Sequence, residues 1–148
     1  MSNDAAVTKD LIQTLEDGKD GFAKGAEKLE QDGEAALAAT FRELSAGRAA
    51  MADELQQIAA SYGDQIEESG SIAAKAHRGW MAVKDAFAGS DPDGVLDAAE
   101  QGEDHAVSEF QDALEADISP EFKAVVARQA DQVRAAHDQV KALRDARR

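Results

Sequence analysis

Residues 34–62 read EAALAATFRELSAGRAAMADELQQIAASY, and the spacing of their large side chains decides the fold. Leu37, Phe41, Leu44, Arg48, Met51, Leu55, Ile58 and Tyr62 follow one another in alternating steps of 4 and 3 residues. An α-helix turns once in about 3.6 residues, so these steps place them on one stripe, the seam that a helix buries inside a bundle. One member of the stripe, Arg48, is charged.

The same period extends outward in both directions. Val7, Leu11, Leu15, Gly18, Phe22, Ala26 and Leu29 form a seam before it. After it come Leu96, Ala99, Glu103, Ala106, Phe110 and Ala113, then Phe122, Val126, Gln129, Val133, Ala136, Val140 and Leu143. Alanine is abundant and β-branched residues are few, which favours helix throughout. Breaks are marked by Asp32-Gly33, Tyr62-Gly63-Asp64, Ser69-Gly70-Ser71 and Gly89-Ser90-Asp91. Both prolines follow a capping side chain, in Ser90-Asp91-Pro92 and Ser119-Pro120-Glu121, the arrangement that starts a helix. Five helices are predicted near 4–30, 34–62, 71–88, 92–116 and 120–146, in one domain over residues 1–148. The third is short and carries Ile72, Ala76, Trp80, Val83 and Phe87 on one side.

Two tight turns make two antiparallel hairpins, and some 29 residues, 63–91, lie between them. A helix of these lengths spans ~40 Å at a rise of about 1.5 Å per residue. A connection of that size can cross the bundle from end to end, giving an all-α, ferritin-like antiparallel four-helix bundle with a short helix in the long crossover.

Composition narrows the classes of function. The chain has 148 residues, 43% hydrophobic and 31% charged, enough to build a core and unlike a disordered tail. Its formal net charge of −14 argues against nucleic acid, which needs a basic face, and against an anionic membrane surface. With no cysteine there is no disulfide, zinc finger or thiol nucleophile. No apolar run approaches the roughly 20 residues of a membrane span, and the start Met-Ser-Asn-Asp lacks the features of a signal peptide. A cytoplasmic location is the expectation.

The hairpins also read as copies of each other. Gly21-Phe22 precedes Arg48-Ala49-Ala50-Met51 in the first, and Gly102-Glu103 precedes Arg134-Ala135-Ala136-His137 in the second. On these residues the chain resembles the ferritin and rubrerythrin superfamily. His77-Arg78-Gly79-Trp80-Met81 and Glu100-Gln101-Gly102-Glu103-Asp104 further resemble a bacterial ferritin-like family of uncharacterised four-helix-bundle proteins, over about Leu11 to Leu143. The superfamily resemblance implies that each hairpin supplies a Glu from its first helix and a Glu-x-x-His from its second, together holding two iron or manganese ions. Here the first Glu position holds Gly21, or Phe22 if the register slips by one. The first Glu-x-x-His position holds Arg48 and Met51, and in the second hairpin Arg134 replaces the carboxylate. Only Glu103 and His137 survive as ligand types, and two arginines would repel cations.

A lone carboxylate or guanidinium inside a bundle costs several kcal/mol unless paired. Arg48 and Glu103 both fall on seams of helices expected to be neighbours, so an Arg48–Glu103 pair is expected to fill the old metal position, joined by Arg134 although its phase is one residue off the seam, the planar guanidinium gripping the carboxylate through two bonds. The alternative is that Arg48 snorkels outward and Glu103 is solvated.

The remaining residues offer no catalytic constellation. His77, His105 and His137 lack the partners of a triad, and no nucleophile elbow, phosphate loop or dinucleotide fingerprint is present. Gly21 and Gly25 make a flat stripe for tight packing against Trp80 or Phe110, or else for a ligand cleft or a kinked, mobile segment. Trp80 either fixes the crossover to the bundle or joins His77, Arg78 and Met81 in a patch for a partner. The expectation is a non-enzymatic bundle without cofactor. It would act through an unknown protein partner or as a homodimer, or as a structural or stress-related protein. The alternative is a metal-binding or redox protein with an altered site around Glu103 and His137.

Overall fold

A computed structural model describes residues 3–62 and 91–147. Four long helices account for nearly all of them: α1 Asp4–Gln31, α2 Ala35–Ala59, α3 Pro92–Glu115 and α4 Pro120–Ala146. A short 3-10 turn, Ala60–Tyr62, finishes α2. No strand occurs among the described residues, and the architecture is an all-α four-helix bundle. The predicted helix at 71–88 lies outside the described residues, as do His77, Arg78, Trp80 and Met81. No described helix is long and apolar enough to cross a membrane.

The helix ends follow the local chemistry of the sequence. Asp91 accepts a hydrogen bond from the Gly94 amide at 2.8 Å, and Pro92 opens α3 where its missing N–H is no loss. Ser119 and Pro120 open α4 in the same way. Gly33 takes φ of 81°, a left-handed conformation that L side chains resist. It lets Glu34 N–H reach Leu29 O at 2.8 Å and Gly33 N–H reach Glu30 O at 3.1 Å, the paired bonds of a Schellman stop.

Contacts at the two ends fix the direction of each helix. At one end the start of α1 meets the α3–α4 turn. Asn3 N–H donates to Asp117 O at 2.7 Å, and Ser119 donates to Asp4 from its amide at 2.8 Å and its hydroxyl at 2.6 Å. At the other end Arg147, just past α4, reaches Asp93 at 2.6 Å and Glu34 at 3.4 Å, joining the α1–α2 turn to the start of α3. The helices therefore run up, down, down, up. α2 ends at the end opposite to where α3 begins, so the connection between them joins opposite ends.

α1 packs against both α2 and α3, and α3 against α4. The α2–α4 side is bridged largely by polar groups. Gln129 Nε2 donates to Met51 O at 3.2 Å and to Glu54 Oε1 at 2.8 Å, while Arg128 pairs with Glu54. The interior holds two apolar clusters. Leu11, Leu15, Leu55, Phe110, Phe122 and Val126 belong to the lower one, and Phe22, Leu29, Phe41, Leu96, Ala99 and Val140 to the upper one. Each fully buried Leu or Phe contributes about 1.5–3 kcal/mol by leaving water. Between the clusters, on every helix, the seam passes through a level without a large apolar side chain: Gly18, Arg48, Glu103 and Ala136.

Candidate functional site

That level contains the ion pair. Arg48 is 1% exposed and Glu103 0%, and Arg48 Nη2 donates to Glu103 Oε2. They come from α2 and α3, which lie diagonally across the bundle and not side by side as expected, so the bond crosses its axis. A side chain as long as arginine can span that diagonal from a seam position, and it is among the largest fully buried side chains described.

The first helix makes the room. A Cβ on Gly18 would lie 3.2 Å from Arg48 Nη1 and 3.6 Å from its Cγ. One turn on, Phe22 presents its ring with the guanidinium carbon 5.4 Å from the centroid, within cation–π reach. Phe41 meets Phe22 edge-on at 5.3 Å and 90°, fixing that ring. Gly18 and Phe22, four residues apart, thus form a seat for the cation on one face of α1.

The pair is a single contact rather than the expected two-bond grip. Arg48 Nη1 faces α1, and neither it nor Glu103 Oε1 has a hydrogen-bond partner among the described residues. Burial pushes the Glu103 carboxyl above the usual carboxylate range, against the opposing pull of Arg48 and, more weakly, of His137.

Arg134 is not part of the site. It is exposed, because the inward positions of α4 are Val133 and Ala136, one residue earlier than the repeat alignment implies. The same offset moves His137 off the axis. Half-buried, it directs Nε2 to Asp104 Oδ1 at 2.7 Å instead of toward Glu103. Asp104 in turn is exposed, and Glu100, one helical turn earlier on α3, completes a group whose ligand atoms all lie within 4.8 Å of one another. The helical phase that turns Arg134 outward leaves His137 bonded to Asp104 and not to Glu103, with which it was expected to share any altered metal site. Gly21 and Gly25 are buried on α1. His105 is half-buried on α3.

Beside Arg48, between α2 and α4, runs a groove of about 350 Å³ lined by Leu44, Gly47, Arg48, Met51, Arg128 and Gln132. Both arginines are already held by carboxylates, Arg48 by Glu103 and Arg128 by Glu54. Burial works to raise the Glu54 carboxyl, but its bonds from Arg128 and Gln129 outweigh this and hold it below the usual range. The groove therefore offers neither a free cation nor an activated base.

Two outcomes follow from this geometry. Gly18→Ala gains about 1 kcal/mol of helix propensity but crowds a guanidinium tethered by Glu103, an overpacking cost of about 1–3 kcal/mol. Denaturant unfolding should show a net loss near 1 kcal/mol in the parent and a net gain in an Arg48→Met background. For Glu103 the folded carboxyl titrates above the unfolded one, so the folded state binds the extra proton. Stability should fall as pH rises from the ordinary carboxylate range through the higher folded value. Unfolding of the parent and of Glu103→Gln across pH should show their difference declining in that window; a difference that rises there contradicts the assignment.

A search of curated proteins finds no match. The family model described as a domain of unknown function (DUF2383) matches residues 5–116, from the first turn of α1 through the end of α3. The match spans both partners of the axial ion pair, and the chain belongs to this family.

Proposed function

We propose that the chain is a non-enzymatic helical-bundle protein that works through protein contacts, either with a partner or as a homodimer. In this reading the interior position at which ferritin-like bundles hold two metal ions has been taken over by the Arg48–Glu103 pair. The observation that carries it is the buried guanidinium on the bundle axis, bonded to the carboxylate that would otherwise be a ligand. A fixed positive charge there opposes a pair of divalent cations, and a di-metal centre needs several carboxylates to neutralise it. The ferritin-like ancestry rests on the resemblance of the hairpin motifs and on the up-down-down-up order with its long crossover. A stress-related role rests on that ancestry alone. The reading with metal between Glu103 and His137 loses support because His137 turns to Asp104.

Aerobic incubation of tag-free protein with Fe²⁺ tests the proposal. The expected result is an oxidation rate that Glu103→Ala leaves unchanged. Accelerated oxidation that disappears in Glu103→Ala would overturn it, since the interior would then bind and turn over iron.

A further inference from the structure

The geometry points to a site for one divalent transition-metal ion on the outer side of the α3–α4 hairpin, formed by Glu100, Asp104 and His137. Glu100 and Asp104 are four residues apart, so their carboxylates stand one above the other on the same face of α3. His137 faces them from the antiparallel α4. One ligand atom from each lies within 4.8 Å of the others. Bonds of about 2.0–2.3 Å to a central ion place ligand atoms up to about 4.5 Å apart, so the three can converge with small rotamer adjustments.

The histidine is what separates this group from an ordinary acidic patch. Its two ring nitrogens face different carboxylates: Nδ1 lies 3.4 Å from Asp138 Oδ1, and Nε2 lies 2.7 Å from Asp104 Oδ1. In a neutral imidazole only one nitrogen carries hydrogen. At 2.7 Å the Nε2–Asp104 approach is a hydrogen bond, so an ion would take the place of the hydrogen between them: the ring hydrogen moves to Nδ1, beside Asp138, and the two groups separate to about 3 Å or more as both bind the ion. A carboxylate behind the distal nitrogen is the usual support of a metal-bound histidine.

Arg144 is the resident competitor, because it pairs with Glu100. It also contacts Asp145 at 3.1 Å and approaches Asp97 at 3.9 Å, so it keeps anionic partners when a metal takes Glu100. One imidazole with two carboxylates matches a first-row ion such as Mn²⁺, Fe²⁺ or Zn²⁺ better than Ca²⁺, which takes oxygen ligands only. Water would complete the coordination. This site lies outside the bundle axis and does not depend on the closed interior proposed above.

The experiment is calorimetric titration of tag-free, chelator-treated full-length protein with Zn²⁺ and, separately, Mn²⁺. Parallel titrations use His137→Ala, Asp104→Asn and Glu103→Gln, with far-ultraviolet circular dichroism confirming that each variant folds. The expected result is one equivalent bound, weakened about tenfold or more by His137→Ala and by Asp104→Asn and unchanged by Glu103→Gln. Absence of binding by either ion, or binding that His137→Ala and Asp104→Asn leave unaltered, overturns the site while leaving the closed interior intact. Binding of two equivalents that Glu103→Gln abolishes overturns both. If Asp104→Asn abolishes binding but His137→Ala does not, the histidine is no ligand and the site as drawn is wrong.

Discussion

A guanidinium and a carboxylate meet on the axis of this bundle with almost no access to water, and the rest of the interior is arranged around that meeting. Arg48 reaches Glu103 along the diagonal between α2 and α3, helices that belong to different hairpins. The bond therefore ties one hairpin to the other at mid-height, where neither apolar cluster does so. Removing one partner leaves the other charge buried and uncompensated, which typically costs about 3–5 kcal/mol, a large share of the 5–15 kcal/mol by which a domain is stable. The pair is thus better understood as a constraint on which helices may sit across from which than as a source of stability in its own right.

The neighbouring residues conform to that constraint. Gly18 is helix-weakening on its own terms, and its place on α1 makes sense because a side chain there would meet Arg48. Phe22 lends a ring face to the cation, and Phe41 holds the ring. On the opposite helix Ala136 keeps its side chain short at the same level. Even Glu103 keeps a trace of the cost, its carboxyl driven upward by burial despite the arginine beside it. At the ends of the bundle the chemistry is more ordinary: Asp4 with Ser119 below, and Arg147 with Asp93 and Glu34 above. These contacts set the order of the helices, and the axial pair sets their rotation.

Most of this was legible in the chain because seam positions repeat at 3.6 residues and both charged seam residues stand in phase with apolar neighbours. Phe41, Met51 and Leu55 bracket Arg48, and Ala99 and Ala106 bracket Glu103, so spacing favoured burial of both over a snorkelling arginine and a solvated carboxylate, and the assembled bundle buries both. The repeat alignment drew Arg134 and His137 inward against that same period, which already set Arg134 one residue off the seam. An apparent repeat aligned Arg-Ala-Ala-His with Arg-Ala-Ala-Met, but a one-residue slip is a rotation of about 100° on a helix. Val133 and Ala136 held the inward positions that the repeat assigned to their neighbours. Gln129 stood on the seam in plain view, yet its bonds to Met51 O and Glu54 depend on the spacing of α2 and α4, which no local pattern encodes. The same holds for Glu100 and Asp104 opposite His137. Their i, i+4 spacing was visible, but the helix they would face was known only once the hairpin was assembled.

The most direct measurement is the unfolding free energy of Arg48→Met, Glu103→Leu and the double variant, each compared with the parent in denaturant. If the axial pair organises the interior as described, each single change strands a buried charge and costs about 3–5 kcal/mol, whereas the double variant returns to within about 1–2 kcal/mol of the parent because two apolar side chains then fill the level. Two small single effects that simply add would contradict the account, because the charges would then be neither buried together nor dependent on each other.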